Sequence, residues 1–156
     1  MIFPTVRGSN LEGRSFTLPG DFEGEYNIVL LGYAIAHQRL IDMWIPALEQ
    51  ITQQNPQVRY YEVPVMYNLP PAQQNYINMG MYYGIPDKAT REKTITLYLN
   101  IDAFNRMLGL PSMETIYALL VDREGYVHWR AAGRYTPALR QELEEVITQL
   151  GKISTS

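Results

Sequence analysis

His37, Gln38 and Arg39 stand where an extended apolar segment gives way to helical spacing, and they are the residues best placed to do chemistry. A helix start leaves backbone amides unsatisfied and carries the positive end of the helix dipole, so a negative group is favoured there. Arg39 strengthens that field. A carboxylate of a partner or of this protein can sit against it; a hydrated helix start without a ligand is the plain alternative. The field would also stabilise a thiolate, but the chain contains no cysteine. Thiol–disulfide exchange, disulfides, iron–sulfur clusters and thiolate–zinc sites are therefore excluded.

Other constellations are weaker. Gly8-Ser9-Asn10-Leu11-Glu12-Gly13-Arg14-Ser15 approaches a phosphate-binding loop with arginine in place of lysine. That loop works only between a strand and a helix whose N-terminus receives the phosphates. Phe16-Thr17-Leu18-Pro19 cannot open a helix, so the glycines read as turn residues. His128 alternates with Val127 and Trp129 and reads as a strand surface residue; two distant histidines and no cysteine leave a zinc site nothing to stand on. Glu142, Glu144 and Glu145 lie off the stripe Leu139, Leu143, Val146 and Leu150, which makes them a solvated face rather than catalytic carboxylates. No Ser/His/Asp arrangement is supported by the spacing. No metal and no cofactor is expected.

The elements that must position these residues follow from pattern. Residues 1–26 read as a hairpin against the core, with a turn and short extended segment over Leu11 to Pro19. The apolar run Ile28 to Gly32 suits a central strand covered on both faces. From about Gln38 to Gln54, Leu40, Met43, Trp44, Leu48 and Ile51 share one face of a helix that Pro46, inside it, should kink and that Asn55-Pro56 ends. Val58 to Val65 and Thr94 to Leu99 read as strands, with a short helix from Ile101 to Leu108 closed by Gly109 and Pro111. Ile116 to Val121, the turn Asp122-Arg123-Glu124-Gly125, and Tyr126 to Arg130 form a second hairpin. Thr136 caps a last helix with Pro137 at its first position; the helix is expected to end at Gly151, with 152–156 a frayed tail. Trp44 and Trp129 are assigned to the core. Alternation of strands and helices gives an α/β class with a mixed sheet flanked by helices.

A chain of 156 residues fits a single domain over 1–156 that buries roughly 70% of its unfolded surface, so it needs no covalent staple. Hydrophobic residues at 46%, charged residues at 19% and a net charge of -3 are ordinary for a globular protein and lack the basic stripe of a nucleic-acid binder. No apolar run approaches the roughly 20 residues of a membrane span, and the first residues lack signal-peptide regions. The chain is expected to be soluble, with any targeting segment or anchor lying outside it. Its compartment is left open, association with a mitochondrial, bacterial or plastid membrane included.

Val29 to Glu49 reads V-L-L-G-Y-A-I-A-H-Q-R-L-I-D-M-W-I-P-A-L-E. Setting Tyr33 on the aromatic of F-W-A-T-W-C-x-x-C-x-x-E-x-P-x-L brings Pro46 and Leu48 into register without a gap. In this register the chain resembles thioredoxin-like proteins, and Gln38 and Ile41 occupy the positions of the two redox cysteines. Residues 116–133, I-Y-A-L-L-V-D-R-E-G-Y-V-H-W-R-A-A-G, are similar to the closing hairpin of redoxins. With the opening F-P-x-V-x-G-x-x-L-x-G and Leu108-Gly109-Leu110, they resemble one branch, the thioredoxin-like assembly factors of the mitochondrial ATP synthase. The resemblance implies a thioredoxin-like fold and a non-redox factor that binds a protein partner, a hydrophobic membrane-sector subunit. Redoxins carry a cis-proline six residues before the hairpin aspartate; here that position is Ile116, so peptide capture at the old site is lost with the thiols. A non-thiol enzyme using the former pocket and a structural subunit are the other readings.

One segment matches none of this. Asn68 to Pro86, three of whose residues are prolines, reads as a long connection or a broken helix. Between Tyr60 and Pro86 the chain collects tyrosine and methionine, side chains favoured at interfaces. A partner surface centred on Met79, Tyr82 and Tyr83 is expected there, against the alternative that the segment packs into the core.

Overall fold

The computed structural model describes residues 1–154. Five strands build most of its sheet around a central parallel pair: β1 (Val6–Asn10), β2 (Ser15–Leu18), β3 (Tyr26–Gly32), β4 (Val58–Met66) and β5 (Ile95–Tyr98). A hairpin of β6 (Tyr117–Asp122) and β7 (Val127–Ala132) completes the order β2-β1-β5-β4-β3-β6-β7. β3, β4 and β5 run parallel, and the outer strands antiparallel, so the sheet is mixed. β3 lies inside the sheet between β4 and β6, with Ile28 to Leu31 fully buried, as a strand covered on both faces requires.

The two faces are covered by different elements. On one, α1 (Gln38–Gln54) and α5 (Pro137–Ser154) place Ile41, Trp44, Leu48, Ile51, Leu143 and Ile147 over Ile28, Leu30 and Leu120. On the other, Phe3, Phe16, Phe22 and Phe104, the last from α4 (Ile101–Met107), pack over Val29, Leu31, Val63 and Leu119. Caps fix the helix starts: Asn100 Oδ1 accepts from the Ala103 amide at 3.0 Å, and Thr136 Oγ1 from that of Leu139 at 3.1 Å. A 3₁₀ turn over Ile35–His37 leads into α1. The last two helices, α2 (Pro71–Gly84) and α3 (Lys88–Glu92), join β4 to β5.

Several expectations need correction. The stripe of α1 also takes in Ile41 and Ala47; Leu40 is half-buried against the same cluster, but Met43 is exposed, because the helix is rotated so that residue 41 faces the sheet. Trp129 is only half-buried, since β7 is an edge strand; it stacks edge-on against the buried Trp44 with ring centroids 6.2 Å apart. The register of β6 and β7 shifts at Leu120/Val121, which places Val127 and Trp129 on opposite faces of the sheet and breaks their expected alternation. His128 instead meets Asp122 at 2.9 Å. α5 continues through Gly151 to Ser154, so residues 152–154 are helical rather than a tail; Thr155 and Ser156 lie outside the described residues. The segment 68–86 is neither a loop nor a broken helix, because α2 is continuous for 14 residues.

Candidate functional site

β3, the 3₁₀ turn and α1 deliver Gly32, His37 and Ile41 to the C-terminal end of the parallel strands, and Ile116, just before β6, comes to the same place. A Cβ built on Gly32 would lie 3.0 Å from Ile41 Cδ1, 3.6 Å from His37 Cβ and 4.0 Å from Ile116 Cγ2. Ile41 is 4% and Ile116 0% exposed. Two branched aliphatic side chains therefore fill the position that a thiol and a cis-proline would need to share. The peptide before Ile116 is trans; the cis bond among the described residues joins Leu18 to Pro19. Neither of the two clefts described lies here: one of about 330 Å³ borders the turn at Asp122 to Glu124, and one of about 340 Å³ lies along the outer face of α5.

The anion contact expected at His37 to Arg39 is not built as the sequence suggested. His37 is buried, and its Nδ1 accepts the Tyr33 amide at 2.9 Å, which turns the imidazole inward. Arg39 is exposed. Tyr33 stands beside them with its ring edge-on to His37 and Tyr117, donating its hydroxyl to Asn105 Oδ1 at 2.9 Å. Burial pushes the Tyr33 phenol well above its ordinary range, so it stays neutral. Gln38 is exposed, and its side chain reaches Asp42 and Glu62. Sequence reasoning missed Glu62; its signal was a lone carboxylate in the interior of a largely apolar strand that also carries Arg59 near its start.

α2 forms the second candidate. None of its residues is buried. Tyr76 is 81%, Met79 58% and Tyr83 76% exposed, while Tyr82 at 39% lies under the Arg91 guanidinium, 4.6 Å from its ring centroid. Tyr76, Met79 and Tyr83 follow one another at spacings of three and four, so they line one outward stripe. Tyr76 belongs to the tyrosine- and methionine-rich segment but not to the centre expected at Met79, Tyr82 and Tyr83, although its position three before Met79 would have placed it there. The inner side is held by polar contacts: Tyr98 Oη donates to Asn78 Oδ1 at 2.7 Å, and Gln74 Nε2 to the Leu69 carbonyl at 2.7 Å. Burial raises the Tyr98 phenol to about 12. From Val63 to Pro86 the chain holds no charged residue. Tyr60 and Tyr61, by contrast, are core residues on opposite faces of β4, so the aromatic segment divides between interior and surface.

No family model and no curated protein matches this sequence. Solved structures do. The thioredoxin domain of a thiol-disulfide oxidoreductase from Bacteroides vulgatus superposes with a TM-score of 0.56 at 17% identity, over 93% of this chain and 94% of that one. The exposed lipoprotein thioredoxin Etrx1 of Streptococcus pneumoniae gives 0.57 at 16% identity, over 91% and 99%. Yeast Sco1 with copper bound gives 0.59 at 12% identity, over 94% and 92%. The fold of this chain is thioredoxin-like, built without a cysteine. Among the described residues no helix is long and apolar enough to cross a membrane.

Proposed function

We propose that this chain is a non-redox, thioredoxin-like binding protein that presents the outer stripe of α2 to a protein partner. The observation that carries the reading is a 14-residue helix that buries none of its own side chains while exposing Tyr76, Met79 and Tyr83. Tyrosine and methionine supply large, adaptable contact area, and depletion of charge is typical of the centre of an interface. Ile41 and Ile116, which close the position matched to the thiols, count against catalysis there and leave the surface of α2 as the place for a partner. The resemblance of residues 3–13 and 116–133 to ATP synthase assembly factors supports a specific partner, a hydrophobic membrane-sector subunit of that enzyme. The role is assembly or chaperoning.

The test uses that subunit, purified in detergent, against the full chain. Wild type should retain it, and the triple variant Tyr76→Ser, Met79→Ser, Tyr83→Ser should not, while both unfold at similar temperature. Equal retention by the two proteins, or by neither, overturns the proposal.

A further inference from the structure

α2 lies beside the sheet without joining its core. Gln74, Ile77, Asn78 and Met81 form its half-buried side, at spacings of three and four. Among the described residues, neither Ile77 nor Met81 packs against either apolar core cluster. Two polar clasps hold the helix. In its middle, the Tyr98 hydroxyl donates to Asn78 Oδ1 at 2.7 Å and lies 3.2 Å from the Gln74 carbonyl oxygen. At its C-terminal end, Arg91 donates to the Ile85 carbonyl at 2.8 Å, stacks over Tyr82, and is itself fixed by Glu12 of the β1–β2 turn at 2.8 Å.

The helix is also weak in itself. Pro70 and Ile85, the residues that flank it, are extended, and each precedes a proline that disfavours helical geometry before it. Gly80 sits in the helix interior, where glycine is a poor helix former, and a Cβ built there would meet no atom within 4 Å, so packing does not require it. A 14-residue helix is marginal on its own in water. Released from its clasps, α2 therefore loses its helical hydrogen bonds as well. The rest of the fold need not follow, because β4 is held by β3, β5 and α1.

We infer that α2 is a hinged strap that opens as one unit over Pro71–Gly84 while the sheet and α1 stay folded, with the Tyr98–Asn78 hydrogen bond as its clasp. Closed, the strap shows Tyr76, Met79 and Tyr83; open, it frees Ile77 and Met81 too. A partner can then close around the segment from every side, since no charge between Val63 and Pro86 opposes its burial. This use of the opening rests on the partner role proposed above. The opening itself does not, and it is measured on the chain alone.

Native-state amide hydrogen exchange of the full chain tests it. Amides of α2 should exchange faster than those of β3 by about a hundredfold or more, as a locally opening unit does. Tyr98→Phe keeps the ring and removes the hydroxyl; it should speed exchange throughout α2 by about two- to tenfold, the effect of one hydrogen bond, and leave β3 unchanged. Gly80→Ala should slow exchange in α2 by about fivefold, the difference in helix propensity. Exchange of α2 in step with β3 overturns the strap. A Tyr98→Phe effect that is absent, or spread equally over β3, overturns it too. If Tyr98→Phe does not fold, Gly80→Ala decides, since residue 80 is on the surface; no slowing in α2 then overturns the strap.

Discussion

Two helices of this protein carry apolar side chains to opposite ends. α1 turns Ile41, Trp44, Ala47, Leu48 and Ile51 onto the sheet, and at its start Ile41 meets Ile116 in a site closed to solvent. α2 sends Tyr76, Met79 and Tyr83 outward and keeps Asn78, within hydrogen-bond reach of Tyr98, on its inner side. Side-chain chemistry alone does not separate them, for both are rich in large apolar residues. What differs is support: α1 lies across β4 and β3 on the face that α5 also covers, whereas α2 buries no side chain and meets Tyr98 of β5 through hydrogen bonds at Gln74 and Asn78. In this cysteine-free thioredoxin-like scaffold the position matched to the thiols is closed, and the exposed tyrosines and methionine of α2 lie elsewhere.

The largest effect expected from breaking this comparison is in α1. Trp44 is 1% exposed and donates its indole N–H to the Gly133 carbonyl at 3.1 Å. Trp44→Ala should cost about 3–5 kcal/mol in urea unfolding, as large-to-small core changes do. A loss below about 1 kcal/mol would show that the assigned face does not pack.

Reintroduced cysteines probe the same helix more finely. A thiol at Gln38→Cys should react readily with an alkylating reagent, and one at Ile41→Cys should be protected, because residue 38 is exposed and 41 is buried. In the double variant, neighbours on one helix turn should form an intramolecular disulfide once that turn tightens to bridging distance. Equal reactivity, or failure of the oxidised double variant to bridge, counts against the register drawn from the cysteine motif.

On α2 the effects should be small and graded. Tyr82→Ser removes a cation–π contact with Arg91 and should cost about 0.5–1 kcal/mol. Tyr83→Ser, with its side chain in solvent, should stay within about 0.5 kcal/mol of wild type. A loss at Tyr83 as large as that at Trp44 would make α2 part of the core and remove the basis for a partner surface.

Much of the scaffold was legible. The apolar run of β3, the cap at Thr136 and the turn at Gly125 are local signals, each needing only a few neighbouring residues, and each falls where expected. Gln38 to Gln54 was readable as a helix with Trp44, Leu48 and Ile51 facing inward, but which of Leu40, Ile41 and Met43 joins them was not, since all three are apolar and only the sheet selects among them. α2 was harder still. With no charged residue on any side, periodicity had no polar face to contrast with an apolar one.

The sequence by itself determined that thiol chemistry is absent, that strands and helices alternate, and that tyrosine and methionine concentrate between β4 and β5. Those conclusions rest on residue identity and short-range spacing. Only the tertiary structure decided that Ile41 and Ile116 close on Gly32, that Gln38 reaches Glu62, and that Tyr60 and Tyr61 are buried while Tyr76 and Tyr83 are not. These facts depend on contacts between residues far apart in the chain, fixed by strand order and helix rotation, and side-chain chemistry is the same on either side of such a choice.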